Sequence, residues 1–391
     1  MAEKKPGFAQ GLITDETIRE HRERIGNKRG SVGRDEYATV DSIRQFVNAI
    51  GDLNPLYRDE GYAKKTRYGS LIAPPSFLRV VGGGFGTGMG LRGVLAFHSG
   101  TEWVFYRPIY PGDKYTCDVE FIELQEKGGR FAPRWLQEIH EVKYSNQKGE
   151  VVATAYMSAA RTERSLVSAR TRGEGKAPIR QHPHPWTEEE RIQIENEMIK
   201  SSEEIRASEP RYWEDVNEDE ELPQLVKGPL RLMDMVAWFG ATEILLGCAS
   251  ALKLFRKVPG LALLHPDSNA LEYIEFVHCN RGAAAFAGFP NAYDWGAQRH
   301  HFLMQQLTNW MGDDGWLKKC SAQYRGFVFI SDVLRFTSQV IEKYVDEDGE
   351  YCVDILSSCL NQAGENVMPS RSTIALPSRE RRIWPVERRL R

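Results

Sequence analysis

The chain has 391 residues, of which 41% are hydrophobic and 27% are charged, and its formal net charge at pH 7 is −3. This length allows two domains, each with its own core. The small net charge removes any electrostatic case for nucleic-acid binding, and no apolar run is long enough to span a bilayer. The six cysteines include no CxxC pair. Reduced thiols in a cytoplasm are therefore expected, rather than a disulfide framework or a zinc site.

The first predicted domain covers residues 36–162 and follows a polar, basic N-terminal extension, residues 1–35. An amphipathic run over residues 40–50 predicts a helix, because its apolar side chains recur at helical spacing. Segments rich in aromatic and β-branched residues then predict strands, over residues 102–107, 115–121, 135–144 and 151–157. A helix followed by long antiparallel strands indicates an α+β domain.

The sequence GDLNPLY, residues 51–57, follows this predicted helix directly. Its carboxylate, Asp52, and its amide, Asn54, lie in a turn that Pro55 stiffens, because proline fixes its own φ and restricts the preceding residue. Two interpretations stay open. The two side chains form part of a functional site, or they only shape an Asx turn that caps a helix.

A charged linker, residues 163–210, is predicted next, with a helix that starts at the capping box TEEE, residues 187–190. The second predicted domain, residues 211–391, contains a faint repeat of the first: YRPIYPGD, residues 106–113, resembles YRGFVFISD, residues 324–332, with one extra residue. The periodicity of the second copy predicts a helix and then strands, over residues 296–310, 333–344, 351–360 and 366–376.

The order of GDLNPLY, APPSF (residues 73–77) and YRPIYPGD resembles that of the MaoC-like acyl dehydratases and hydratases of the hotdog fold. The motif of that family reads roughly GDxNPxH, and Tyr57 holds the histidine position here. The resemblance covers residues 36–162 and 211–376. It implies an α+β fold of two tandem hotdogs, each an antiparallel sheet wrapped around a central helix. It also implies a first-half site in which Asp52 is a catalytic candidate, while Asn54 and Tyr57 contact substrate.

The second half contains FVHCNRGAAAFAGFP, residues 276–290, where relatives often have HxD before an Ala-rich helix. By this resemblance His278 takes the place of the catalytic histidine, and Asn280 stands where an aspartate is common. Tyr273 replaces the acidic residue that usually lies five positions before the histidine. The rival interpretation of His278 is a satisfied, buried histidine in an apolar, strand-like run.

The start of the second predicted central helix, AYDWG at residues 292–296, supplies further candidates. Asp294 either replaces the missing carboxylate and orients water, as Asn280 would, or only caps the helix. The backbone N–H of Gly296 would stabilise the thioester oxygen, since helix N-termini favour negative charge. Tyr293 and Arg299 are predicted substrate contacts. The polar side chains on the first turn, including His300 and His301, are expected mostly to face solvent.

Two other motifs are interpreted as structural. GMGLRG, residues 88–93, matches GxGxxG, but no βαβ unit surrounds it, so a loop is expected rather than a dinucleotide site. HPHP, residues 182–185, lacks the additional ligands of a metal centre. No metal site is predicted.

The resemblance implies reversible addition of water to a 2-enoyl-CoA, or elimination from a 3-hydroxyacyl-CoA. Coenzyme A enters as part of the substrate, and no other cofactor is expected. A carboxylate and a histidine suit this chemistry because they can share one water and histidine titrates near neutral pH. Since both halves depart from the motif, the alternatives are a non-catalytic acyl-binding partner subunit, a thioesterase or another lyase. The expected partner is an acyl-CoA, with neither nucleic acid nor a membrane. A monomer and a homodimer or higher homo-oligomer both stay open.

Overall fold

The structure is a computed structural model, and it describes residues 11–31, 33–82, 91, 94–129, 132–163, 183–265, 268–286, 288–381 and 384–390. Most of the GxGxxG motif and residues 164–182 of the predicted linker lie outside the described residues. No helix within these ranges is long and apolar enough to cross a membrane.

The helices are Asp15–Arg22, Val40–Ile50, Glu60–Ala63, Leu78–Val81, Glu188–Glu203, Leu232–Thr242, Cys248–Lys257, Arg281–Phe286, Gly296–Met311 and Pro385–Leu390. The strands of the first half are β1 (Lys28–Ser31), β2 (Leu95–Phe105), β3 (Tyr115–Lys127), β4 (Trp135–Asn146) and β5 (Val151–Thr162). Those of the second half are β6 (Leu225–Lys227), β7 (Ala262–Leu264), β8 (Leu271–Tyr273), β9 (Trp316–Gln323), β10 (Leu334–Val345), β11 (Tyr351–Leu360) and β12 (Asn366–Ala375).

Ten of these strands form one antiparallel sheet in the order β1-β3-β4-β5-β2-β9-β12-β11-β10-β6. The first five belong to the first half and the last five to the second. The halves meet where β2 pairs with β9, in a register that places Trp103 opposite Cys320. The fold is thus an α+β double hotdog, as predicted. Strand β1, which lies within the predicted N-terminal extension, pairs with β3.

The two halves differ in the helix that their sheet encloses. In the second half this is Gly296–Met311, the second central helix, whose 16 residues are nearly all buried. In the first half the corresponding position holds only a 3-10 turn, Pro75–Phe77, and the four-residue helix Leu78–Val81. The first half therefore lacks a full central helix among the residues that the structure describes.

The second central helix buries polar as well as apolar side chains. His300 and His301 are 0% and 1% exposed, so the expectation that they face solvent is wrong. The neighbouring elements supply hydrogen bonds to both: the Trp238 indole donates to Nδ1 of His301, and His300 lies within hydrogen-bonding distance of Tyr324 and Cys320. His300 and His301 can be buried and still make these hydrogen bonds because the helix lies between the sheet and a layer of other helices.

Candidate functional site

His278 lies on a 3-10 helix, Ile274–His278, and not on the strand-like run predicted from its apolar neighbours. Its side chain is mostly buried, stacked on Trp295 with ring centroids 4.2 Å apart. Nδ1 lies 2.8 Å from the carbonyl oxygen of Tyr293. A carbonyl oxygen only accepts, so Nδ1 carries a proton and donates it to Tyr293, and Nε2 is the ring nitrogen that points away from this bond.

Glu275 is the carboxylate that faces this nitrogen, with Oε2 3.4 Å from Nε2 of His278. Burial favours the neutral form of Glu275. Hydrogen bonds from His278 and Trp295, with the positive charge of Arg79, outweigh that effect and lower the pKa of the carboxyl. Sequence reasoning missed this residue because the family aspartate lies five positions before the histidine. Glu275 lies three positions before His278, and on a helix residues at this spacing are neighbours, so it could have been identified once the segment was known to be helical.

Aromatic rings and one residue of the first half surround the His278–Glu275 pair. Trp295 stacks on Phe239 of the helix Leu232–Thr242, with centroids 4.9 Å apart. Arg79, from the short helix of the first half, forms an ion pair with Glu243, and both side chains are largely buried. Its charge also lowers the pKa of Glu275. The site therefore lies where the two halves meet.

The second central helix begins immediately beside this pair. Trp295, which stacks on His278, is its N-cap residue, and Gly296 is its first residue. The first N–H groups of a helix lack intrahelical partners and attract negative charge. The helix begins at Gly296 as predicted, and the role of its N–H groups toward a thioester oxygen stays a prediction. A Cβ at this position would overlap the ring of Tyr324, which explains the glycine.

Replacing Gly296 with alanine is expected to lower both stability and activity. Overpacking against Tyr324 should cost about 1–3 kcal/mol of unfolding free energy, since a packed core resists added methyl groups. Thermal unfolding and the hydration rate would be measured together. The double variant Gly296→Ala, Tyr324→Leu makes room for the methyl group and should recover part of the stability. A single variant as stable as wild type would contradict the packing argument.

Asp294 and Arg299, both predicted site residues, form a buried ion pair with each other. Both oxygens of Asp294 accept from Arg299, at 2.8 and 2.9 Å, and the two side chains are 1% and 4% exposed. Arg299 also donates to the carbonyl oxygens of Gly326 and Val367. Burial raises the pKa of Asp294 to about 6 against the pull of Arg299. With its hydrogen bonds used internally, the pair holds the second central helix to the sheet. The roles predicted for the two residues, orienting water for Asp294 and contacting substrate for Arg299, stay predictions.

Asn280 and Tyr293 also have structural contacts. Oδ1 of Asn280 accepts from the N–H of Ala283 at 2.9 Å and so caps the helix Arg281–Phe286, which leaves the predicted water-orienting role unsupported. Tyr293 contributes its carbonyl oxygen to His278, and its ring meets the imidazole edge-on, with centroids 4.4 Å apart. Tyr293 therefore orients the histidine from two sides.

The first-half motif, GDLNPLY, forms an Asx turn, which is one of the two interpretations that the sequence left open. Oδ1 of Asp52 accepts from the N–H of Asn54, and Oδ1 of Asn54 accepts from the N–H of Leu56, at 2.9 and 3.0 Å. Asp52 is fully buried, and burial raises its pKa to about 6. Lys227, from the second half, donates to the carbonyl oxygen of Ile50 at 2.9 Å and so caps the helix that precedes the turn.

Tyr57, in the histidine position of the motif, lies far from His278. It lines a pocket together with Thr308 and Asp313, which lie at the C-terminal end of the second central helix and just beyond it. From Gly296 to Thr308 the helix rises about 18 Å at about 1.5 Å per residue. The structure therefore does not bring the predicted first-half and second-half residues into one site.

Comparisons with known proteins agree with this architecture. A family model for the FAS1-like dehydratase domain region matches residues 23–155, within the first half. A UPF0336 protein of Parafrankia sp. (strain EAN1pec) is 39% identical over 119 residues, which are 29% of this chain and 76% of that protein. A probable enoyl-CoA hydratase alpha subunit of Thermomonospora curvata is 32% identical over 137 residues, 29% of this chain and 42% of that protein.

Two solved structures share the fold over almost the whole chain. A MaoC-like dehydratase superposes with a TM-score of 0.62 at 15% identity, covering 91% of this chain and 100% of the other. A conserved hypothetical protein of Mycobacterium tuberculosis, described as a double hotdog, has a TM-score of 0.50 at 11% identity, covering 90% of this chain and 96% of the other. The fold is that of a double hotdog, and the first half matches the dehydratase region of FAS1-like proteins. The chain belongs with the UPF0336 proteins, a relationship that its first half carries.

Proposed function

We propose that this protein is an acyl-thioester hydro-lyase that reversibly adds water to a 2-enoyl-CoA, with His278 and Glu275 as its acid–base pair. The observation that carries this proposal is the 3.4 Å approach of the two side chains beside the N-terminus of the second central helix. The names of the relatives, a MaoC-like dehydratase and a probable enoyl-CoA hydratase alpha subunit, support the same reaction class.

In the hydration direction, a water that contacts both His278 and Glu275 gives one proton to this pair as its oxygen bonds to the β-carbon. The α-carbon then takes a proton from the pair, so that the elements of water are added and the pair returns to its initial state. Negative charge that develops on the thioester oxygen is stabilised by the N–H groups around Gly296. The hydrogen bond from Nδ1 to Tyr293 keeps Nε2 directed at the water. Dehydration is the reverse sequence.

A non-catalytic acyl-binding subunit is the second candidate, and a specific observation favours it. The first-half carboxylate, Asp52, has no histidine beside it in the motif, because Tyr57 replaces that histidine. The family aspartate of the second half is also replaced, by Tyr273. If Glu275 does not substitute for that aspartate, the protein binds acyl-CoA without turnover.

The test is an assay of purified full-length protein with crotonyl-CoA and with a ring-bearing 2-enoyl-CoA. Loss of the ultraviolet absorbance of the enoyl thioester, with no release of free thiol, is the result expected of a hydratase. Thiol release would instead indicate a thioesterase. Binding by calorimetry without any spectral change would support the acyl-binding subunit and reject the hydro-lyase.

Location and assembly follow from the same proposal. All six cysteines are free thiols, which suits a reducing cytoplasm, where acyl-CoA is also available. We include a homo-oligomer in the proposal because the outer strands β1 and β6 leave sheet edges on which a second copy can pair. Light scattering during size-exclusion chromatography measures that state.

A further inference from the structure

The segment that contains the helices Leu232–Thr242 and Cys248–Lys257 exposes much aliphatic surface. Of the twenty large hydrophobic side chains that are exposed among the described residues, seven lie within residues 232–252, and each is between 41% and 68% exposed. We call these seven side chains the apolar face: Leu232, Met233, Val236, Ile244, Leu245, Leu246 and Leu252. Soluble monomers rarely expose a large contiguous apolar patch, so this concentration indicates a binding surface.

The members of the apolar face continue from the first helix into the turn that follows it. Leu232, Met233 and Val236 occupy one side of the first helix. Gly240 is four residues beyond Val236 and lies on the same side, since residues four apart on a helix are neighbours. Cδ1 of Leu245 lies 3.9 Å from the place that a Cβ of Gly240 would take. The turn therefore extends the surface of the helix, and the chain neighbours of Leu245 are exposed aliphatic residues as well.

Aromatic rings on the inner side of both helices pack toward the candidate site. The Phe255 ring of the second helix lies 6.4 Å from the ring of Tyr273, which lies 6.2 Å from the ring of Phe239 in the first helix. Phe239 stacks in turn on Trp295, which stacks on His278. The two helices thus direct aromatic residues inward and aliphatic residues outward. The apolar face therefore belongs to helices that are packed against the candidate site.

The charges of this segment favour an anionic partner. Its two acidic side chains are engaged, because Asp234 forms an ion pair with Arg231 at 2.6 Å and Glu243 forms one with Arg79. Residues 244–252 include no charged side chain, in a chain of which 27% of the residues are charged. The segment has three basic side chains, all exposed and all on the second helix: Lys253, Arg256 and Lys257.

A lipid bilayer fits these features better than a protein does. In a twofold dimer the same patch faces itself, so the three cations of one copy would approach those of the other. Hot spots of protein interfaces are mostly Trp, Tyr and Arg, with Leu and Val under-represented, whereas the apolar face consists of Leu, Ile, Val and Met. Aliphatic side chains beside Lys and Arg are typical of helices that lie in the interface of a membrane.

We propose that the apolar face docks the protein peripherally on a bilayer that contains anionic phospholipid. Leu245 and its chain neighbours would reach the level of the acyl chains, and the three basic side chains of the second helix would contact the lipid phosphates. The sequence-based expectation of no membrane partner rested on the lack of a spanning segment, which peripheral docking does not need. The proposal goes beyond hydro-lyase activity and does not depend on it.

The experiment is flotation of the purified full-length protein with vesicles of phosphatidylcholine alone and of phosphatidylcholine mixed equally with phosphatidylglycerol. We expect the protein to partition about 10²-fold more strongly onto the anionic vesicles, because each of three basic side chains near an anionic surface contributes about fivefold. The triple variant Lys253→Gln, Arg256→Gln, Lys257→Gln should lose this preference. The double variant Ile244→Gln, Leu246→Gln should bind both kinds of vesicle more weakly, since it removes the inserted aliphatic side chains.

A matched control removes exposed aliphatic residues from another surface. Val345 and Leu356, on β10 and β11, are 50% and 52% exposed, close to the 48% and 47% of Ile244 and Leu246. The double variant Val345→Gln, Leu356→Gln should therefore float as the wild type does. No flotation of the wild type, or equal loss in the two double variants, would overturn the proposal. A wild-type dimer that Ile244→Gln, Leu246→Gln dissociates, without vesicle binding, would assign the apolar face to a second copy and overturn it too.

A second measurement leaves the apolar face unchanged and so covers the case in which a variant does not fold. Cys248, at the start of the second helix, is exposed, whereas the other five cysteines are buried or half-buried. A polarity-sensitive thiol dye on Cys248 should shift its emission to the blue when anionic vesicles are added, and added salt should reverse the shift by screening the charges. An unchanged emission spectrum on vesicles that carry the protein would show that another surface binds and would reject the proposal.

Discussion

Replacing His278 with alanine is expected to lower kcat for enoyl-CoA hydration by about 10²- to 10⁴-fold, the range that positioned acid–base groups contribute. The variant loses the ring nitrogen that faces Glu275 and leaves the N-terminus of the second central helix in place. Glu275→Gln should cause a loss of similar order, because the amide cannot accept the proton of water. The initial rate of loss of enoyl-thioester absorbance measures both effects.

The controls are a histidine and a glutamate outside the site. The His184 ring lies 4.2 Å from the Trp186 ring, on the segment that precedes the helix Glu188–Glu203, so His184→Ala should keep full activity. Glu272→Gln, on β8, removes a nearby carboxylate that is not in the pair. If His278→Ala is inactive while Glu275→Gln retains wild-type kcat, His278 acts without Glu275 and the assignment of the pair is wrong. Binding of the enoyl-CoA should persist in both inactive variants.

Replacing Arg299 with methionine is expected to remove about 3–5 kcal/mol of unfolding free energy at pH 8, because it leaves a buried carboxylate without its partner. The pKa of Asp294 is about 6 in the folded protein, raised by burial above its ordinary value. A raised carboxyl pKa contributes stability at low pH that is lost as pH rises through the folded pKa. Without Arg299 this pKa rises further, so the loss should be smaller at pH 5 than at pH 8. Urea unfolding of wild type and of Arg299→Met at the two pH values measures this loss of unfolding free energy.

Two further variants distinguish the stability cost of an unpaired buried charge from the stability cost of losing the side chain. The double variant Arg299→Met, Asp294→Leu removes both charges and should recover most of the stability, as apolar replacements of buried pairs often do. Arg44→Met breaks an exposed pair with Asp41 and should cost less than about 1 kcal/mol. A double variant no more stable than Arg299→Met would show that packing, not charge, dominates at this position.

Much of the secondary structure was predictable because periodicity is a local property. The helix Val40–Ile50 ends at Gly51, which has a φ of 64°, as its sequence indicates. The capping box at Thr187 starts the helix Glu188–Glu203. Strand β11, Tyr351–Leu360, has the predicted bounds. The motif order was also sufficient to identify the double hotdog, since the repeat of two domains is visible in the chain.

The candidate site was only partly predictable, because its members come together through tertiary contacts. His278 was identified from the motif, but its partner Glu275 became visible only when the segment proved helical rather than extended. Arg79 belongs to the other half of the chain and reaches the site through the joined sheet. No spacing in the sequence indicates such a contact.

The sequence by itself therefore determined the two hotdog halves, their main helices and strands, and the histidine at the expected position. These features depend on local periodicity, turn residues and a short motif. The tertiary structure alone decided the roles of the polar residues. It buried Arg299 against Asp294 and placed Tyr57 and Asp313 in a separate pocket. The physical reason is that a polar side chain takes its role from burial and from the partners that folding brings to it, and neither is encoded in its immediate neighbours.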